Sequence, residues 1–179
     1  MALRATIYKA DLHVADHDRA YYNSHSVTVA RHPSETDERM MVRLLAYALF
    51  IDPDDSLTFT RGLSESDEPD LWRKDLTGDI LQWVETGLPD ERRILKACGR
   101  SEEVIIIAYG RNAGLWWQGV QGKLERTDKL RVYLLDTEGT AMLAEMAARK
   151  MELNINIQEG SAWVSNDAGE ASVQVERLR

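Results

Sequence analysis

The sequence predicts a single α/β domain in which helices pack on a β-sheet. Three observations lead to this class. Residues 104–109 form an unbroken, largely β-branched run, which is typical of a strand covered on both faces. A strand ending at Glu85, a helix between Pro89 and Gly99 and that run follow one another, as in a strand, helix, strand unit. Alternating apolar and polar segments near both ends of the chain predict further strands.

The first fifty residues are predicted to form a hairpin and then a helix. Residues 5–14 and 21–30 alternate on either side of a polar turn, which indicates a long N-terminal β-hairpin. Ser34 or Thr36 can then cap a helix that runs to about Leu49 with one apolar stripe. Because acidic residues follow the cap, they suit the positive end of this helix.

Residues 71–86 are predicted to form the central hairpin of the chain. Thr77-Gly78 is the expected two-residue turn, since glycine supplies the positive φ that such turns require. In that register Asp70 lies directly across from Glu85, with Cβ atoms roughly 4.5–5.5 Å apart. Two carboxylates at this distance repel unless a cation lies between them or one is protonated. The hairpin therefore predicts either a metal site or, with a different turn, two exposed surface carboxylates that do not interact.

The second half of the chain is predicted to alternate helices and strands and to end in strands. Trp116 and Trp117 could stack on nucleic-acid bases, or they could be one core and one surface residue. The C-terminal strands and the N-terminal hairpin could form a second sheet or an interface. The predicted elements are a helix at 89–99, a strand at 104–109, a helix at 112–121, a strand at 130–135, a helix at 140–150 and strands at 153–157, 162–165 and 172–178.

Composition limits the function classes. The 179 residues suit one domain, 1–179, with a core that needs no disulfides. The formal net charge of -8 argues against broad nucleic-acid coating but leaves room for a local basic groove. Cys98 is the only cysteine and no apolar signal-like run begins the chain, which favours a cytoplasmic setting. No apolar stretch approaches the roughly 20 residues that span a bilayer, so no membrane association is expected.

Four segments, taken in order, carry a family resemblance. They are TDERMMVRLLAYAL at 36–49, WRKDLTG at 72–78, WVETG at 83–87 and KACG at 96–99. Together they resemble the bacterial YaeQ family, and the likeness covers essentially the whole chain. The resemblance implies a variant of the PD-(D/E)XK restriction-endonuclease fold, whose α/β core is a mixed sheet flanked by helices.

The same resemblance implies a set of site residues. It places Pro69-Asp70 at the PD position, Glu85 at the (D/E) position and Glu38 at the acidic position of the first core helix. In nucleases of this kind the carboxylates hold Mg²⁺, which polarises the phosphoryl oxygen and lowers the pKa of a bound water. Asp70 and Glu85 are thus the predicted metal ligands.

The sequence departs from the nuclease pattern at the lysine, because Gly87 stands there. Lys96 on the following helix is the nearest candidate replacement. Lys74 lies four residues along the strand from Asp70, about 13 Å away, which is too far for it to act at the predicted metal site.

Two hypotheses follow. The first is a Mg²⁺-dependent phosphodiesterase acting on nucleic acid, with Asp70 and Glu85 as ligands, Glu38 as a supporting ligand or water holder, and Lys96 as the candidate general base. The second is a non-catalytic module of the nuclease-like fold that binds nucleic acid or a protein partner.

Overall fold

The structure is a computed structural model that describes residues 3–179. Within these residues the chain forms ten strands and four α-helices. The strands are β1 (Thr6–Asp16), β2 (Tyr21–Arg31), β3 (Thr58–Phe59), β4 (Leu71–Lys74), β5 (Ile80–Thr86), β6 (Ser101–Ala108), β7 (Leu130–Leu135), β8 (Lys150–Gln158), β9 (Ser161–Asn166) and β10 (Gly169–Arg177). The helices are α1 (Asp37–Phe50), α2 (Glu91–Arg100), α3 (Ala113–Val120) and α4 (Thr137–Glu145). No described helix is both long and apolar enough to cross a membrane.

All ten strands belong to one curved sheet. Their order is β2-β1-β8-β9-β10-β7-β6-β5-β4-β3. The sheet is mixed, because β5, β6 and β7 run parallel, as do β1 and β8, while the other pairs are antiparallel. Tyr47 of α1 contacts both edge strands, with ring centroids 5.5 Å from His25 in β2 and 5.3 Å from Phe59 in β3. The two edges therefore come together around α1, and the sheet is a nearly closed barrel.

The first helix, α1, lies inside this barrel. Thr36 caps it, its hydroxyl accepting a hydrogen bond from the Arg39 amide at 3.1 Å. Every residue from Met40 to Ala48 is buried, so the helix is enclosed on all sides rather than along one stripe. Each fully buried Leu or Met there contributes about 1.5–3 kcal/mol relative to exposure. The prediction of a helix over this segment is confirmed, but the predicted single apolar stripe was too narrow.

The parallel strands separate an inner core from an outer one. Ile105 and Ile107 of β6 face the inner core around α1, whereas Val104 and Ile106 pack under α2 and α3 on the outside. A strand covered on both faces was predicted from this unbroken run, and the two cores confirm it. The predicted mixed α/β class is also confirmed, although α1 is wrapped by the sheet instead of flanking it.

The tip of the central hairpin differs from the prediction. Residues 75–79 form a longer loop, in which Oδ1 of Asp75 accepts hydrogen bonds from the amides of Thr77 and Asp79, both at 2.9 Å. A bulge between Arg73 and Lys74 then shifts the ladder by one residue. The loop and the bulge compensate, so Leu71 still pairs with Val84 as the two-residue turn had predicted.

Several other boundaries also needed correction. The last helix was predicted at 140–150, but α4 begins at Thr137 because Asp136 caps it, and β8 already begins at Lys150. α2 begins after Asp90 and passes through Gly99 to Arg100, so the glycine does not end it. The N-terminal hairpin and the three C-terminal strands are confirmed. They form no second sheet, since β1 pairs directly with β8.

Candidate functional site

Three of the four predicted site residues lie at one edge of the barrel, where β5, β6 and β7 end. In α/β sheets the carboxyl ends of parallel strands are the usual place for ligands. Asp70 precedes β4, Glu85 is the next-to-last residue of β5, and Glu38 is in the first turn of α1. Lys96, the fourth, lies on α2 outside the sheet.

Asp70 is 2% exposed, and both of its carboxylate oxygens are occupied. Oδ2 accepts hydrogen bonds from the amide of Thr86 at 2.7 Å and from its hydroxyl at 2.9 Å. Oδ1 accepts a hydrogen bond from Nη2 of Arg39 at 2.6 Å. The carboxylate thus joins the end of β5 to the first turn of α1.

Arg39 is one member of a buried chain of alternating charges. Its Nη1 donates to Oε1 of Glu35 at 2.9 Å, and Glu35 also accepts two hydrogen bonds of 2.7 Å from Arg43. Burial by itself would lower the pKa of Arg39, but the charge and the hydrogen bond of Asp70 raise it overall. The order is Asp70, Arg39, Glu35, Arg43, and opposite charges touch at every step.

Glu85 is also buried and is also held by an arginine. Its Oε2 accepts a hydrogen bond from Nε1 of Trp83 at 3.0 Å, and its Oε1 is bonded to Nε of Arg93. Burial raises the pKa of the Glu85 carboxyl, while the hydrogen bonds from Trp83 and Arg93 act in the opposite direction. Arg93 also donates to the carbonyl oxygens of Ser66 and Glu68, so it ties the acidic loop to the strand end.

The two motif carboxylates turn toward different sides of the sheet. Successive side chains of a strand point to opposite faces, and Asp70 reaches the hydroxyl of Thr86 on the inner side. Glu85 instead shares the outer side with Trp83, two residues earlier. Although the predicted register holds, the two carboxylates do not face each other.

Glu38 lies at the same edge without touching Asp70 or Glu85. Its Oε1 accepts a hydrogen bond of 2.8 Å from the hydroxyl of Thr140 in α4. Tyr109, which follows β6, is close to this group, and burial together with the Glu38 and Asp70 charges raises its pKa to about 12, against the influence of Arg39. Glu38 therefore links the N-terminal turns of α1 and α4.

Gly87, at the position where the resemblance predicted a lysine, has a backbone that suits glycine. Gly87 has φ +109°, in the region that other residues rarely adopt, and its amide donates to the Ile107 carbonyl at 2.9 Å. Lys96 does not take over the role in this structure. Its Nζ pairs with Asp67 at 2.7 Å, and both side chains are largely exposed. The helix cation that reaches the strand end is Arg93.

The residues as arranged do not fit a bound Mg²⁺. Mg²⁺ requires oxygen ligands in octahedral geometry and keeps several waters. All four oxygens of Asp70 and Glu85 already accept hydrogen bonds within the chain. Among residues 3–179 no group of three or more His, Cys, Asp or Glu side chains is placed to hold a metal. A metal would first have to displace Arg39 or Arg93.

Sequence reasoning missed the arginines that hold the acids. Glu35, Arg39 and Arg43 are spaced four apart, so Arg39 and Arg43 share one face of α1 and Glu35, just before the cap, lies next to that face. That spacing was a usable signal, whereas the partnership of Arg93 with Glu85 depends on how α2 folds back over β5.

The tryptophan pair and the cysteine have structural surroundings. Trp116 and Trp117 are both half-buried against the outer core, and Nε1 of Trp116 donates to the carbonyl of Pro89 at 2.7 Å. The prediction of one core and one surface tryptophan was therefore wrong. Cys98 is half-buried as well, and burial raises the pKa of its thiol.

Comparison with known proteins gives one consistent result. A family model described as YaeQ protein matches residues 1–175. Relatives from Salmonella typhi and Escherichia coli (strain K12), both named "Uncharacterized protein YaeQ", are 47% identical over 176 residues, which is 98% of this chain and 96% of each relative. The crystal structure of the YaeQ protein from Xanthomonas axonopodis pv. citri superposes with a TM-score of 0.94 at 46% identity and covers 98% of both chains. That from Pseudomonas syringae gives 0.92 at 38% identity, over 98% of this chain and 96% of the other.

Proposed function

Since the chain belongs to the YaeQ family, we propose that it is a non-catalytic protein of the nuclease-like fold that acts by binding a protein partner. Its parallel strands β5 to β7 and the motif acids at their ends support the nuclease-like part of this proposal. Fold alone does not fix function, so the site residues have to carry the rest.

One observation carries the proposal: the carboxylates of Asp70 and Glu85 each form an ion pair with an arginine of this chain. Two carboxylates near a strand end need a compensating cation, and Arg39 and Arg93 supply it from within the chain. The acids then serve to hold α1, α2 and the loop around Glu68 onto the sheet. A structural role of this kind explains why Asp70 and Glu85 are retained where the lysine is not.

The charge distribution favours a protein over nucleic acid as the partner. Phosphate contacts need clustered Lys and Arg, yet Arg39 and Arg93 are committed to carboxylates and the net charge is -8. Beside the same edge, Leu88 and Leu115 are 38% and 71% exposed, and the hydrogen bond from Trp116 to Pro89 brings their segments together. Exposed apolar groups close to one another are typical of protein interaction surfaces.

The proposal is tested by four measurements on the chain. Calorimetry with Mg²⁺ and Mn²⁺ is expected to show no binding below millimolar metal, and a panel of DNA and RNA is expected to stay intact. Nucleic acid should not shift in a gel at low salt, while the tagged chain should retain the same protein partner in repeated captures. Metal-dependent cleavage that the Asp70→Asn, Glu85→Gln double variant lacks would overturn the proposal.

A Mg²⁺-dependent phosphodiesterase is the second candidate. The register of the hairpin favours it, because Leu71 pairs with Val84 and the neighbouring residues, Asp70 just before β4 and Glu85 in β5, are the two predicted ligands. It requires Arg39 and Arg93 to leave the carboxylates. Under this candidate the wild type should bind Mg²⁺ measurably, and Arg39→Met should tighten that binding because it removes the competing cation. Arg92→Met, which removes an exposed arginine of α2, should leave Mg²⁺ binding unchanged.

A further inference from the structure

A cavity of about 500 Å³ lies at the other end of the barrel from the motif acids. It opens between the last turn of α1 and the strands β5, β7 and β10. Its volume is within the range of small-molecule sites, and barrel mouths are a common location for such sites. The residues that define its chemistry are Phe50, Tyr133, Gln82, Arg131, Arg177 and Asp18.

The apolar part of the wall is aromatic. The rings of Phe50 and Tyr133 meet edge to face with centroids 5.4 Å apart. The guanidinium of Arg131 lies over the Phe50 ring, 6.0 Å from its centroid. Flat rings bind well between aromatic and guanidinium surfaces.

One arginine at this cavity has donors to spare. Arg177 pairs with Tyr133 across the β10 and β7 ladder, so the two side chains share a face. Within the described residues Arg177 forms no ion pair with Asp or Glu, and its Nε donates to the Arg179 carbonyl at 3.0 Å. Arg131 is already engaged by the fold, since it pairs with Glu103 and its Nη1 donates to the Tyr133 hydroxyl at 3.4 Å.

The other charges at the cavity are mostly committed to the fold. Arg19 donates to Asp16 at 2.6 Å and to the carbonyls of Ile51 and Ala48 at the end of α1. This pair therefore caps the helix and is not available to a ligand. Asp18 accepts a hydrogen bond from the Glu159 amide and is the acid that faces an incoming anion at the rim.

We propose that this cavity binds a small molecule that combines a flat apolar ring with one anionic group. The ring lies against Phe50 and Tyr133, and the anion pairs with Arg177. Aromatic carboxylates and purine nucleotides share this chemistry. The cavity lies apart from Asp70 and Glu85, so a test of ligand binding here is independent of the function proposed above.

The test uses 8-anilinonaphthalene-1-sulfonate as a fluorescent probe on the full chain. We expect saturable binding of one probe per chain and much weaker binding of the uncharged analogue N-phenyl-1-naphthylamine. Arg177→Gln should weaken probe binding about tenfold, because it removes a charged hydrogen bond. Arg92→Gln is the matched control, since it removes the same charge from α2 and should change nothing. Thermal unfolding checks that both variants are folded.

Competition identifies the source of the anion. Displacement of the probe by 1-naphthoate indicates an aromatic carboxylate, and displacement by AMP indicates a nucleotide. The proposal is overturned if neither competes, if Arg177→Gln binds the probe as the wild type does, or if the uncharged analogue binds equally well. Phe50→Leu, which keeps an apolar side chain but removes the ring, should also weaken binding severalfold.

Discussion

Removal of Arg39 is the sharpest test of how the motif acids are stabilised. Arg39→Met keeps a long apolar side chain but takes the cation away from Asp70 and Glu35, which are only 3% and 2% exposed in their side chains. Loss of one partner from a buried ion pair costs 3–5 kcal/mol. Asp70 keeps its two bonds to Thr86, and Glu35 keeps Arg43. We therefore expect a loss near the lower limit, about 3 kcal/mol.

This loss is measured by urea unfolding followed by circular dichroism. For a chain of this size about 3 kcal/mol corresponds to a decrease of roughly 6–12 °C in Tm. Arg92→Met is the control, and its effect should stay within about 0.5 kcal/mol. In a double-mutant cycle with Asp70→Asn, the combined loss should be smaller than the sum of the single losses by at least about 0.5 kcal/mol. An Arg39→Met loss no larger than that of the control, with additive effects in the cycle, would refute the reasoning.

Three further predictions concern the strand end and its neighbours. Gly87→Lys places a lysine where the nuclease pattern would have one, and it should reduce stability by about 1–3 kcal/mol because of the positive φ. Gly99→Ala inside α2 should instead raise stability by about 0.5–1 kcal/mol, and thermal unfolding checks both. Burial raises the pKa of Glu85, so the folded state binds its proton more tightly than the unfolded state does. The stability of the wild type relative to Glu85→Gln should therefore rise as pH falls from 7 toward the ordinary glutamate pKa. Tm measured against pH for both chains tests this. Lys96→Ala should change the unfolding free energy by less than about 1 kcal/mol, since its ion pair is exposed; equilibrium unfolding decides, and a larger loss would contradict it.

Local patterns predicted most strands and helices because each carries its own periodicity. The register at Leu71 and Val84 followed from the hairpin pattern, and it survived an incorrect turn because the bulge compensated for the longer loop. The longer loop depends on Asp75, whose side chain accepts hydrogen bonds from the amides of Thr77 and Asp79. Hydrophobic periodicity carries no information about such side-chain hydrogen bonds. The start of α4 was placed three residues late for a similar reason, since Asp136 caps it before the apolar pattern begins.

The arrangement of the acids could not be derived from spacing alone. A ladder register fixes which residues are opposite, but Asp70 precedes β4 and its side chain is aimed by Thr86 and Arg39. The closure of the sheet into a barrel could not be predicted from the sequence pattern either. It depends on Tyr47, which contacts residues of two strands that are far apart in the sequence.

The pairing of β1 with β8 has a consequence for synthesis of the chain. Lys9 lies beside Lys150, and the N-terminal hairpin ends at Arg31, so the hairpin is made roughly 120 residues before β8 begins. At about 5–20 residues per second the hairpin waits roughly 6–24 s on the ribosome with an unpaired strand edge. Open edges of this kind pair with other chains, and contacts between distant residues form slowly. Newly made chains should therefore be most prone to pair with one another until β8 has emerged.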